Sequence, residues 1–121
     1  MSDDYSSDFD SLFKKYCGER WRLARAIAIT ESALNPWAAT PDSSAVGLMQ
    51  QTVAFSERWG NFTGDLRWLP PVQVRAFAKF LVAHPGLSDA EIAGRYTLGD
   101  RGYERAPWQA ADYITKVRSH L

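Results

Sequence analysis

The stretch Ala28-Ile29-Thr30-Glu31-Ser32-Ala33-Leu34-Asn35-Pro36 is followed eleven residues later by Gly47-Leu48-Met49-Gln50. The first block places one carboxylate at the end of an apolar helical pattern, and the second is a glycine-containing turn that closes on an amide. A lone carboxyl group at a helix terminus beside a cleft can keep its proton near neutral pH and act as a general acid. Glu31 is therefore the candidate catalytic residue. Working upstream at about 100° per residue, Cys17, Trp21, Ala24, Ala28 and Glu31 fall on one stripe of a helix predicted from Glu19 to about Ser32. Glu31 continues a buried face. Burial and the partial negative charge of the helix C-terminus both disfavour its ionised form, so its pKa is expected to rise.

Helical spacing recurs on either side of this block. Phe9, Leu12, Phe13 and Tyr16 stand at i, i+3, i+4 and i+7, with Ser7 or Asp8 as N-cap and Gly18 as the stop. Asn35 to Ser44 is a connecting loop, and Gly47 to Glu57 is a turn entering a short helix. Gly60 to Pro71 forms a second loop. Pro70-Pro71 opens a helix whose stripe is Val74, Phe77, Phe80 and Leu81, and Pro85-Gly86 closes it. Ser88-Asp89-Ala90-Glu91 has capping-box spacing ahead of Ile92, Ala93 and Tyr96. Gly99 to Ala106 reads as a loop. Pro107 begins a last helix with Ala110, Ile114, Val117 and Leu121 on one face and an Asp112/Lys116 pair at i, i+4. No segment alternates with period 2, and there is no internal repeat. The prediction is an all-α fold, a compact domain of about six short helices over residues 9–121, with residues 1–8 as a flexible N-terminus.

Composition narrows the function. With 121 residues, 45% hydrophobic and 23% charged, the chain has the make-up of a soluble globular domain able to bury a core without staples. Fourteen basic residues balance fourteen acidic ones, which argues against a nucleic-acid partner. The single Cys17 forms no internal disulfide and no Cys/His spacing resembles a zinc site, so neither metal nor cofactor is expected. The acidic start lacks the basic and apolar regions of a secretory signal, and no apolar run is long enough for membrane insertion.

Glu31-Ser32, Asn35-Pro36, Gly47-Leu48-Met49-Gln50, Tyr96-Thr97-Leu98-Gly99 and Tyr113, in that order, resemble the soluble lytic transglycosylase (SLT) domain over roughly residues 19–117. The resemblance implies a lysozyme-like helical fold with a substrate cleft, acting as a monomer on peptidoglycan glycan strands in the periplasm or outside the cell. With no signal peptide in the sequence, it also suggests a phage-encoded or virion-associated enzyme, or export by another route. It implies that Glu31 is the sole acid/base. Glu31 would protonate the glycosidic oxygen between N-acetylmuramic acid and N-acetylglucosamine, then take the proton of the muramoyl C6 hydroxyl as that oxygen closes on C1. The product would be a 1,6-anhydro sugar. Gln50 and Tyr96 match family positions at the cleft, and Ser32, Met49, Ser44 and Tyr113 complete the expected substrate contacts. The chain departs from the family at Pro41, where a serine is usual and Asp42, Ser43 or Ser44 would substitute, at Gln51-Thr52-Val53, and at Thr97-Leu98.

Plainer roles stand beside these. Ser32 is as well suited to bonding the backbone at the helix end as to touching substrate, Asn35-Pro36 shapes a turn, and Met49 is packing first. Gln50 is equally a loop-stabilising amide, and the ring of Tyr96 belongs to the core. Trp21 is a core residue. One or two of Trp37, Trp59, Trp68 and Trp108 would stack on a glycan. His84 and His120 form no catalytic set, and Asp100, Arg101, Glu104 and Arg105 read as a solvated charged loop. Two alternatives to a transglycosylase remain: a hydrolase of the same bond, which needs a second carboxylate such as Asp42 or Asp100, and a noncatalytic glycan-binding or structural module.

Overall fold

The computed structural model describes residues 6–60 and 64–121, with side chains from Phe9 onward outside that gap. The fold is all-α. Helix α1 (Ser6–Cys17) is followed by a 3-10 turn (Gly18–Arg20), α2 (Trp21–Ser32), the single-turn α3 (Val53–Phe55) and a π-helical turn (Ser56–Gly60). A second 3-10 turn (Gly64–Trp68) leads into α4 (Pro70–Ala83), α5 (Asp89–Arg105), a third 3-10 turn (Pro107–Ala110) and α6 (Ala111–Ser119). Among the described residues the only β pairing is two isolated bridges, Ala39 with Val46 and Val46 with Gln51.

The predicted stripes build the core. Phe13 from α1, Leu23, Ala24, Ile27 and Ala28 from α2, Val74 and Phe77 from α4, Ile92 from α5 and Val117 from α6 are buried together with Leu48 and Met49 of the connecting turn. Helix α1 lies against α2 and α4, and α6 against α2 and α5. At the helix ends, Pro70 and Pro71 open α4, where a missing amide hydrogen costs nothing, and Ser88 and Glu91 form the reciprocal capping box of α5.

Several expectations change. Helix α1 begins at Ser6, so Ser7 and Asp8 lie inside its first turn rather than at the N-cap; residues 1–5 of the expected flexible segment lie outside the described residues. Helix α2 proper starts at Trp21, because Gly18 (φ 54°) reverses the chain into a 3-10 turn. The segment read as a loop from Gly99 is a kink followed by more helix. Gly99 adopts φ 76°, ψ 163°, which breaks the hydrogen-bond ladder for one residue, and the helix then resumes to Arg105. The arm folds back closely: a Cβ on Gly94 would lie 2.3 Å from the ring of Tyr103. Leu121 is half-exposed and falls off the α6 face, and Asp112 and Lys116 do not pair.

Candidate active site

Helix α2 stops immediately after Glu31-Ser32 because Ala33 takes the left-handed conformation (φ 53°), its amide donating to Ile29 O at 2.9 Å. Leu34 follows at φ 64°. Two successive non-glycine residues in this sparsely populated region turn the chain sharply and leave Glu31 at the lip of a cavity. The hydroxyl of Ser32 donates to Leu48 O at 2.6 Å, with Ala28 O also near at 3.1 Å, and so fastens the helix end to the turn opposite.

That turn is held from every side. Val46 O accepts from Gln73 Nε2 (2.8 Å), Gly47 O from Gln50 Nε2 (3.0 Å), Leu48 O from Ser32, Met49 O from the Tyr96 hydroxyl (2.6 Å) and Gln51 O from Arg67 (2.9 Å). The Met49 amide donates to Gln73 Oε1 (2.8 Å), and Gln51 Nε2 donates to Gln73 O (2.8 Å). Gly47 sits at φ 83° against the Gln73 amide, which would lie 2.4 Å from an added Cβ. Only glycine meets both demands.

Between the helix end and the turn lies a cleft of about 210 Å³. Its walls are Thr40, Ala45, Gln50, Gln51 and Thr52 from the connecting segment, Phe55 from α3, and Tyr96 and Thr97 from α5. Glu31 is the one acidic residue among them. Burial pushes its pKa up to about 7, and the Tyr113 hydroxyl, donating to Oε2 at 2.8 Å, offsets part of that rise by stabilising the carboxylate. Burial and the nearby Glu31 charge raise the pKa of both Tyr96 and Tyr113, so each remains a neutral phenol able to donate. The arrangement presents a proton-bearing carboxyl to a polar cavity with aromatic flanks.

The expected contacts divide into two groups. Glu31, Gln50 and Tyr96 line the cleft, and Tyr113 touches Glu31 directly. Ser32, Met49 and Ser44 are occupied elsewhere: Ser32 clamps the turn, Met49 is fully buried, and Ser44 accepts the Val53 amide at 3.1 Å. Gln50 uses both amide hydrogens on Ala38 O and Gly47 O, and its Oε1 accepts from Thr40. None of the tryptophans lines this cleft; Trp37 and Trp108 are 75% and 70% exposed, and Trp59 packs beside Phe55 and Phe80.

The two proposed second carboxylates are not at the cleft. Asp42 is exposed on the loop, and Asp100 is bound to His84 (2.8 Å) and Arg95 (3.1 Å) rather than solvated. Burial opposes the Asp100 charge, but those hydrogen bonds outweigh it and hold its pKa below the usual carboxylate range. The sequence reading passed over Thr40, Gln51 and Thr52 as cleft residues and Gln73 as the anchor of the turn. Gln73 did carry a signal: an amide one residue before Val74, on the buried face of α4.

No helix of the described residues is long and apolar enough to cross a membrane. No curated protein and no solved structure matches the chain. One family model does match, over residues 14–64, and it is that of the Transglycosylase SLT domain, a family of glycan-cleaving enzymes that act on peptidoglycan. The matched segment runs from α1 past the Gly47–Gln50 turn, so Tyr96 and Tyr113 lie beyond it. Over the segment that carries both Glu31 and its facing turn, this chain therefore resembles the SLT domain of the lysozyme-like superfamily.

Proposed function

We propose that the protein is a lytic transglycosylase that cleaves the bond between N-acetylmuramic acid and N-acetylglucosamine in peptidoglycan, with Glu31 as its only acid/base. The observation that carries this reading is Glu31 itself: half-buried, with a pKa of about 7, and alone among carboxylates in the cleft among the described residues. The protonated carboxyl gives its proton to the glycosidic oxygen as the C1–O bond breaks. The muramoyl C6 hydroxyl then bonds to C1, and its proton passes to the Glu31 carboxylate, which restores the acid. No water enters. A hydroxyl already on the substrate has a high effective concentration, so a second protein carboxylate is dispensable. Tyr113 orients the Glu31 carboxyl, and Gln50 supports the wall of the cleft while its Oε1 keeps acceptor capacity toward a sugar amide or hydroxyl.

That no other acid lines the cleft among the described residues favours this reading over hydrolysis, which uses a second carboxylate to activate or replace water. The test is mass spectrometry of soluble fragments released from purified peptidoglycan by the wild type and by Glu31→Gln. Anhydromuropeptides from the wild type alone are expected. Reducing-end fragments would replace the proposal with a hydrolase, and no release by folded wild type would leave a glycan-binding module.

A further inference from the structure

The catalytic cleft has a side branch. A groove of about 340 Å³ shares Thr52, Phe55, Tyr96 and Thr97 with the cleft and continues past them to Arg58, Trp59 and the Arg95–Asp100 pair. Its charges are unequal. Arg95 is neutralised by Asp100 at 3.1 Å and Glu104 at 3.3 Å, and Asp100 also engages His84 at 2.8 Å. Arg58 makes no ion pair or hydrogen bond among the described residues; its guanidinium lies 4.7 Å from the Trp59 ring centroid. It projects from the π-helical turn Ser56–Gly60, a distortion that often marks functional positions because it re-aims side chains. The groove thus offers one uncompensated, stacked guanidinium beside the Phe55 and Trp59 rings. That combination suits a carboxylate on a short, partly apolar chain.

Peptidoglycan carries such a chain where the groove begins. Its peptide stem hangs from the lactyl ether of the muramic residue, the sugar whose C1 reacts, so the stem must leave the cleft close to Glu31, and it bears carboxylates. We infer that the groove receives the peptide stem of the reacting muramic residue, with a stem carboxylate on the Arg58 guanidinium. This rests on the peptidoglycan reading of the cleft. It makes Arg58 a selector for strands that still carry their stems.

The test uses binding, so that it does not depend on turnover. In the Glu31→Gln protein, affinity is measured by calorimetry for glycan strands with stems intact and for strands stripped of stems by an amidase. The expected ratio favours intact strands about tenfold, the value of one charge-assisted contact. Adding Arg58→Ala should bring the ratio close to one, and Arg58→Lys, which keeps the charge, should restore part of it. A ratio near one in Glu31→Gln, an unchanged ratio after Arg58→Ala, or no binding of either strand overturns the inference. Cleavage by wild type with no stem preference would leave the transglycosylase standing and remove the stem site. A clear ratio without cleavage would do the reverse.

Discussion

The two sides of the cleft treat their polar groups in opposite ways. On the turn side, the carbonyls of Val46, Gly47, Leu48, Met49 and Gln51 each accept a bond from a side chain, and four of those five donors come from outside the turn. At the end of α2, the Glu31 carboxyl has one donor among the described residues, Tyr113, against considerable burial. Saturated groups cannot move without losing several bonds, so the turn supplies position. The under-supported carboxyl holds a proton to higher pH than usual, which is the property the proposed reaction asks of Glu31.

The sharpest way to break this contrast is Glu31→Gln, which should lower glycan-strand cleavage about 10³-fold in a release assay. A smaller loss would remove Glu31 from the central role. The same variant reports on burial. Because the folded state holds the Glu31 proton up to a pKa of about 7 while the unfolded chain releases it near 4.5, folding is favoured below that window and loses stability as pH rises through it. The melting temperature of Glu31→Gln relative to wild type should therefore climb between those pH values and level off above them.

The frame is tested by Gln73→Leu, which strips partners from the Met49 amide and from Val46 O and Arg67 O in a buried setting. A loss of about 3 kcal/mol in denaturant unfolding is expected. A cost under about 0.5 kcal/mol, the scale of an ordinary surface change, would mean that the turn does not depend on this amide.

A finer effect is expected at the junction of the two sides. Tyr113→Phe removes the donor that stabilises the carboxylate, so the alkaline fall in activity expected near pH 7 for the proposed reaction should move upward by about one pH unit. A downward shift would contradict the assigned role of the phenol. The smallest effect belongs to Trp108→Ala: this ring is 70% exposed and away from the cleft, and its removal should change stability by no more than about 0.5 kcal/mol in thermal unfolding.

The helices were largely legible because their signals are local. Apolar spacing, Pro70-Pro71 and the Ser88–Glu91 box each act within about a turn of chain, and each appears where the pattern put it. The reading failed at Gly99, where a glycine that normally ends a helix only bends this one. The continuation depends on Tyr103 packing onto Gly94 and on Asp100 binding His84 and Arg95, contacts made across the bend. In the same way Ser32, Met49 and Ser44 carried the right residue types near the site but were claimed by the frame, and Gln73 was overlooked because the turn groups it holds, the Met49 amide and Val46 O, lie more than twenty residues away.

The sequence by itself determined the all-α architecture, the place of Glu31 at the end of an apolar helix and the likeness to the SLT domain, since periodicity and short motifs are written along the chain. Only the tertiary structure decided which polar groups meet. It brought Tyr113 from 82 positions away onto Glu31, set the Tyr96 hydroxyl on Met49 O, withdrew Asp100 into a pair with Arg95 and left Arg58 without an ion pair among the described residues, in the groove that adjoins the cleft. Proton affinity and hydrogen-bond satisfaction depend on distance and burial, and folding fixes both.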